Sequence, residues 1–401
     1  MKAICISTTT KVAPFGDPVA EVLVNGRTLL EEQTDALLAA GFELVDQPPE
    51  QEAYLLFSDR TWFTAETVRR MKAVGEGRLQ ESDPRWSAWT GAQQSLEAPG
   101  LYELAIRTGE PTFDGLAPMQ VDMELHEMEL EVRHSALSHA LDSPVAVGPV
   151  MVHQIEHWSH IVRVNQLVLI NRMEEARLDW EQAGSIGRFI RLLQFIWTTR
   201  SLNGWKIANR LCEIGKETKI HPSAVVELSV IGDGCDIGPN AVIRGSVLRD
   251  GVKVDSNAVV NCSVLGQGAQ VGRFGHVNLC TLYPGAMVSA ADGFQVCVFG
   301  RDSFVAWGSC ILDLSFGKPI RVEVDGPGSA LESTGQHFLG AAVGHRARIG
   351  HGVKLGYGTS IPNDALVVSE GEMMRAWGDG PTGEPVVIRD GRPVPLKKPQ
   401  D

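Results

Sequence analysis

The sequence lacks any apolar run near the ~20 residues that cross a bilayer as a helix, so no membrane-spanning helix is expected. It lacks a C-x-x-C pair: its seven cysteines stand singly at 5, 212, 235, 262, 280, 297 and 310. That odd, scattered set fits reduced thiols in a cytoplasm better than a disulfide framework. It also lacks an excess of positive charge. A net charge of -13 opposes phosphate backbones, which makes nucleic acid an unexpected partner, whereas a small anionic substrate needs only a few local cations. Met1 to Thr10 holds one lysine and no long apolar core before a cleavage site, and no export signal is read there. What is present is the balance of a soluble globular protein, 43% hydrophobic and 21% charged. At 401 residues the chain is too long for one ordinary core, and two or three domains are expected.

Internal repetition decides the architecture of the second half. Three consecutive blocks of 17 residues read SVIGDGCDIGPNAVIRG from Ser229, SVLRDGVKVDSNAVVNC from Ser246 and SVLGQGAQVGRFGHVNL from Ser263, and a fourth opens at Cys280. Aliphatic residues fall at Ile231, Ile237, Ile243, then Leu248, Val254, Val260, then Leu265, Val271, Val277, in steps of six, six and five. A helix would repeat its apolar face every 3.6 residues and a sheet every two. A step near six is a short flat strand plus a tight turn, three to a coil. Four places after the aliphatics stand small or β-branched residues, Cys235, Ala241, Val247, Ala258, Val264, Ala269 and Gly275, suited to the inside of a narrow prism. Gly232, Gly238, Gly266 and Gly272 follow an aliphatic directly, where a turn conformation unfavourable to a Cβ is expected. The period returns at Val343, Ile349, Leu355, Ile361 and Val367. A left-handed parallel β-helix is therefore expected over 214–368, with an excursion at 289–342. Within the excursion, Lys318 to Val324 alternates like a strand and meets the turn Asp325-Gly326-Pro327-Gly328, which predicts a protruding hairpin. In the tail, 369–401, two short strands about Asp390-Gly391 predict a second hairpin capping the open prism.

The first half reads as α/β over 1–115, followed by a helical linker over 116–213. Residues 2 to 7 form a buried strand, then GRTLLEEQTDALLAAGFELVD gives a helix ended by Gly41 and a strand. YLLFSD at 54–59 gives another strand, and Thr64 caps the helix AETVRRMKAV. Such alternation implies a parallel sheet. Val150 to Gln182 and Ser185 to Cys212 each carry one apolar stripe, the second flanked by arginines that suit a docking surface between domains.

With these residues in hand, the chain resembles the sugar-1-phosphate nucleotidyltransferases joined to a β-helix acyltransferase. NGRTLLEEQTDALLAAGFE is similar to the segment after that family's nucleotide-binding loop, and FSDRTWFT to the strand end carrying its magnesium-binding aspartate. The resemblance implies Asp59 as a Mg²⁺ ligand. Where the family has a glycine-rich loop that aims backbone N–H groups at phosphate oxygens, this sequence has TTTKVAPFGDP, leaving Lys11 and Gly16 as stand-ins. The family's domain is about twice the length of the unit here, so a shortened nucleotidyltransferase-like domain without catalysis is expected; an active one is the alternative. For the β-helix the resemblance implies a histidine acting as general base between subunits of a homotrimer, with acyl-CoA as co-substrate and a sugar nucleotide or sugar phosphate as acceptor. His337, in TGQHFLGAAVG, is the first candidate and His276, in GRFGHVNL, the second. A binding scaffold without catalysis is the competing class.

Two metal readings stand beside these. His345 and His351, with His276, resemble the zinc histidines of β-helix carbonic anhydrases, although the pair is six residues apart where that family's is five. His153, Glu156 and His157 form H-x-x-E-H, with His160 one turn on, a face zinc could use if the segment is helical. No third ligand is identifiable for a metalloprotease, and Trp158, Ile155 and Ile161 suit a packed helix instead.

Overall fold

The computed structural model describes residues 1–81, 83–128, 145–182, 184, 212–289, 293–369, 386–389 and 392–395. The helix expected at Ser185 to Cys212 falls almost wholly outside these residues.

The N-terminal sheet has six strands, in spatial order 118–119, 77–80, 101–107, 54–58, 2–6 and 43–44. Lys2–Ile6 runs parallel to both its neighbours. Leu101–Arg107 is antiparallel to Tyr54–Ser58 and to Gly77–Gln80, so the expected parallel sheet is mixed: element alternation reports order, not direction. Within Tyr54–Ser58, Leu55 and Phe57 join the main core while Tyr54 and Leu56 pack with Ile4 on the other face, as the two-residue period of a strand requires. Helix α1, Leu29–Ala39, starts at a capping box between Thr28 and Glu31. It buries Leu29, Gln33 and Leu37 but leaves Leu30 and Leu38 exposed. Gln33 is buried because its amide donates to the carbonyls of Ser58 and Thr61, at 3.0 and 2.7 Å. Helix α2, Ala65–Val74, is capped by Thr64 as expected. Helix α3, Pro84–Thr90, follows Asp83 at its N-cap.

The expected helical stretch from Val150 begins as a strand. Val152–Gln154 pairs antiparallel with Thr61–Phe63, and helix α4 spans Trp158–Gln182. Every residue from Val150 to Ile155 is buried, a run that carries no period of its own, and the available edge of Thr61–Phe63 selects the strand.

From Glu213 the chain winds as the three-sided parallel β-helix read from the repeat. Two of its sheets hold eight strands each and the third opens with five. Parallel register steps by 17 residues, Ile231 to Leu248 to Leu265 on one side and Ile237 to Val254 to Val271 on the next. The inward aliphatics form one continuous buried core. Because each coil both gives and takes backbone hydrogen bonds, the stack is stable only as a whole.

Three details differ from expectation. The glycines after the aliphatics are there for space: a Cβ on Gly232 or Gly238 would lie 2.4 Å from the Asp250 side chain or 2.8 Å from the Ser256 backbone nitrogen of the next coil. Positive φ falls two places later, at Gly234 and Asn240, 64° and 57°. On the five-residue side the inner small position belongs to Ser246 and Ser263, not to Val247 and Val264. Each of these serines accepts a backbone N–H from the next coil, Ser263 N to Ser246 Oγ at 3.1 Å and Cys280 N to Ser263 Oγ at 3.0 Å, which removes the cost of burying a hydroxyl. Finally, the excursion is shorter than 289–342. Coil positions continue at Phe294, Phe299, Val305 and Ile311, where two phenylalanines replace the aliphatics that mark the pattern. The chain leaves the prism after Ile311 and returns at Ala342–Val343.

The hairpin expected in the excursion pairs Arg321–Glu323 with Leu331–Ser333. It does not protrude freely, since Ile320 and Val322 are buried in the core shared with the N-terminal sheet. That core continues along α4, whose Leu167 and Val168 share it with Val298 and Ala342 on the outer face of one prism side. Asn165 of α4 joins all three parts: its amide donates to the Leu23 carbonyl and Thr281 Oγ at 2.9 and 3.1 Å and accepts from Asn25 N at 2.7 Å. The tail hairpin is present, Val386–Arg389 against Arg392–Pro395.

Candidate functional site

The chemistry-bearing side chains gather where the N-terminal unit meets the prism. The segment TTTKVAPFGDP, in the position of a phosphate-binding loop, is a closed hairpin with Lys11–Val12 antiparallel to Asp17–Pro18. Its tip faces protein. Phe15 is buried and stacks on Tyr283 with ring centroids 5.3 Å apart, and its carbonyl accepts from Asn363 Nδ2 at 2.7 Å. Lys11 is exposed on the outer strand.

Asp17 is buried at the centre of this contact. Its carboxylate accepts from both terminal nitrogens of Arg301 and, at 3.0 Å, from His345 Nε2. Burial alone would raise the carboxyl; the hydrogen bonds from His345 and Arg301 outweigh it and hold Asp17 below the ordinary carboxylate range. The His345 tautomer follows from its partners. Nδ1 accepts the Arg301 backbone N–H at 2.8 Å, so Nε2 carries the proton donated to Asp17. Neither Asp17 nor Arg301 stood out in the sequence, because they are 284 residues apart and belong to no local motif.

This arrangement does not fit zinc on His345 and His351. Both His345 ring nitrogens are committed, and His351 Nδ1 is held by the Trp307 carbonyl. Asp59 sits at the end of its strand as the resemblance implied, but its two oxygens accept from Thr8 N and Thr8 Oγ, at 2.8 and 2.9 Å. It therefore ties down the first loop of the sheet. Among the described residues, no group of three or more His, Cys, Asp or Glu side chains is arranged to hold a metal.

The H-x-x-E-H residues come together, though not on a helix. His153 lies on the strand Val152–Gln154 and His160 in the first turns of α4, ring centroids 4.9 Å apart. His160 Nδ1 accepts the N–H groups of Glu156 and His157, at 3.0 and 3.2 Å, serving the free donors at the helix start. Its Nε2 donates to the Ala92 carbonyl at 2.8 Å. His157 Nε2 donates to the Glu323 carbonyl of the excursion at 3.1 Å. Burial pushes His157 down to about 3 and His160 to about 4, with His153 also well below 6.5, so all three are neutral. Glu156 is taken by Arg60, Gln154 and Ser95. Glu156, His157 and His160 are satisfied interface groups rather than zinc ligands, while His153 is held only through Nδ1, at the Gln154 carbonyl.

His337 stands at the base of the excursion, partly buried. Its Nδ1 lies 3.0 Å from the Ser315 carbonyl, which fixes the proton on Nδ1 and leaves Nε2 as a free base. His276 is exposed on the outer face of a regular coil, between Val259 and Gly293 of adjacent coils.

Residues 208–311 match the family described as the GMPPB C-terminal domain. Over these residues the chain is similar to a domain of the sugar-1-phosphate nucleotidyltransferases, in line with the resemblance read from the sequence, and the match ends at Ile311, where the prism is interrupted. It spans about a quarter of the chain, leaving the N-terminal unit and the excursion outside it. A solved structure of a candidate acetyltransferase from Bacillus cereus is similar at 16% identity, over 37% of this chain and 79% of that one, with a TM-score of 0.15; a likeness that distant says nothing about chemistry. No curated protein matches the chain. No helix among the described residues is long and apolar enough to cross a membrane.

Proposed function

We propose that the protein is a transferase of sugar-nucleotide metabolism that moves an acyl group from an acyl-CoA to a sugar nucleotide or sugar phosphate, with His337 as general base. The observation that carries this reading is the hydrogen bond from His337 Nδ1 to the Ser315 carbonyl. It is the arrangement a base needs, with one ring nitrogen anchored and the other free to take a proton. The acceptor hydroxyl or amine attacks the thioester carbonyl carbon and Nε2 takes its proton. The new C–O or C–N bond forms as the C–S bond breaks, and the proton passes to the departing thiolate to give free CoA. A homotrimer in a cytoplasm, with the acceptor pocket completed by a neighbouring prism, belongs to the same proposal.

The N-terminal unit is read as a non-catalytic nucleotidyltransferase relative. Support comes from the hairpin at 11–18, whose tip is buried against Tyr283 and His345 where a phosphate-binding loop would be open. A scaffold without turnover is the second reading, favoured because the family match stops short of His337.

Acetyl-CoA offered with a panel of nucleotide sugars and sugar phosphates tests the proposal through release of CoA thiol. His337→Ala is expected to lower turnover by about 10²- to 10⁴-fold, the usual contribution of a general base, with the melting temperature unchanged. Equal turnover in wild type and His337→Ala would remove His337 from the chemistry, and loss only in His276→Ala would move the base to that coil.

A further inference from the structure

A small cavity of about 40 Å³, partly open to solvent, lies where α3, the start of α4 and the excursion meet. Trp89, Gln93, His153, Arg163, Gln166 and Gln336 are among its lining residues. Two of them lack the partners their chemistry calls for. The Arg163 guanidinium lies over the Trp89 ring, 4.5 Å from its centroid, and donates to Gln166 Oε1 at 2.9 Å. No carboxylate pairs with it among the described residues. Burial pulls it down to about 9, as for a cation left without an anion. His153 is fully buried. Its Nδ1 donates to the Gln154 carbonyl at 2.8 Å, so Nε2 is an acceptor, and that atom has no hydrogen-bond partner. The nearby Thr90 carbonyl is itself an acceptor and does not satisfy it.

An unpaired cation and an orphaned acceptor are both costly when withdrawn from water. One ligand can satisfy the two together only if it carries negative charge and a proton to share. A carboxylate at neutral pH has no such proton. A phosphate has: its second ionisation lies near neutrality, so one oxygen can share a proton with His153 Nε2 while others accept from Arg163.

We infer that this cleft is a binding site for a phosphate group, held by Arg163 and His153 between the N-terminal unit and the excursion. The site is distinct from the hairpin at 11–18; Gln336 and Phe338, the chain neighbours of His337, line it but His337 does not, and the inference does not depend on the acyl-transfer reading. A bound phosphate would also tie the two parts together, adding to direct bonds such as Gln93 Nε2 to the Ser333 carbonyl at 2.8 Å, His157 Nε2 to the Glu323 carbonyl at 3.1 Å and Gln336 Nε2 to the Ala88 carbonyl at 3.4 Å.

Calorimetric titration of the full chain with inorganic phosphate and, in parallel, with glycerol 1-phosphate tests the inference, using sodium chloride at matched ionic strength as control. Wild type is expected to bind one phosphate per chain and to melt at a temperature that rises with phosphate concentration beyond the chloride control. Arg163→Met should abolish both effects while keeping the far-ultraviolet spectrum and the phosphate-free melting temperature at or above wild type. His153→Phe should weaken binding at least tenfold. Tighter binding of the ester than of the free ion would identify an organic phosphate as ligand, and the reverse a free phosphate; loss of both in Arg163→Met supports the site in either case. No binding by wild type, or binding that survives Arg163→Met, overturns it.

Discussion

The prism and the junction are built from opposite kinds of burial. Inside the coils from Ile231 to Ile311 the buried side chains are aliphatic, phenylalanine, alanine, serine and cysteine, repeated at 17-residue intervals and indifferent to pH over the physiological range. At the junction the buried set includes Asp17, His153, His157, His160 and His345, none repeated and all but His153 tied to a partner distant in sequence. A periodic core gains stability from copies of one solution, whereas a polar seam depends on individual pairs. Substitutions should therefore fail in different ways in the two regions.

The largest effect is expected in the prism. Val260 is fully buried and paired on both sides, with Ile243 and Val277. Val260→Asp places an unpaired charge in that core and should cost more than about 4 kcal/mol, enough to lose the coils as a unit. Urea unfolding followed by far-ultraviolet dichroism reads it. A variant that stays folded with a midpoint near wild type would contradict the buried ladder.

At the junction, Asp17→Ala leaves Arg301 and His345 without their shared acceptor. Removing one member of a buried ion pair costs about 3–5 kcal/mol, and the partial exposure of Arg301 puts this case at the lower end. The loss should detach the N-terminal unit while the coils remain, visible as two unfolding transitions in place of one. Asp17 also sets an acid limit. Its folded pKa is depressed, so its contribution is complete above the unfolded value of about 3.9 and disappears as pH falls through the lower folded value. Asp17→Asn should remove that acid limb, and an unchanged limb would show that other carboxylates set it.

The same contrast explains what was legible in the sequence. The coil register could be read from Ile231 to Val277 because each position repeats its neighbour's physics. The register was lost after Val288 only because Phe294 and Phe299 fill the inner positions with aromatic rings. The cap at Thr64 was readable because a cap is a local hydrogen bond. The junction was not readable. Asp17, Tyr283, Arg301 and His345 assemble across most of the chain, and the pattern around TTTKVAPFGDP resembled a loop whose conformation only its packing against Tyr283 decides. His153 and His160 looked like helical neighbours, yet they meet because a strand and a helix start converge on α3.

A smaller effect separates the two regions by pH alone. His157 and His160, held near 3 and 4 by burial, have folded values below the ordinary 6.5. As pH falls from 6.5 the unfolded chain takes up protons first, so stability declines towards pH 4 and levels off once the folded state titrates too. The decline should appear in melting curves of the whole protein and should be shallower in His157→Gln. A slope identical to wild type in that variant would mean the buried histidines do not control the junction's pH response.

The smallest effect belongs to the outer face of the prism and completes the comparison. His276 is exposed on a flat coil side, with its backbone paired to Val259 and Gly293 on either side. Those hydrogen bonds belong to the main chain and survive any side chain that tolerates an extended conformation. His276→Ala should therefore change stability by no more than about 0.5 kcal/mol, the range of surface substitutions away from special features. A loss of 2 kcal/mol or more would mean that this face is covered in the assembled protein, and would place a neighbouring prism against it.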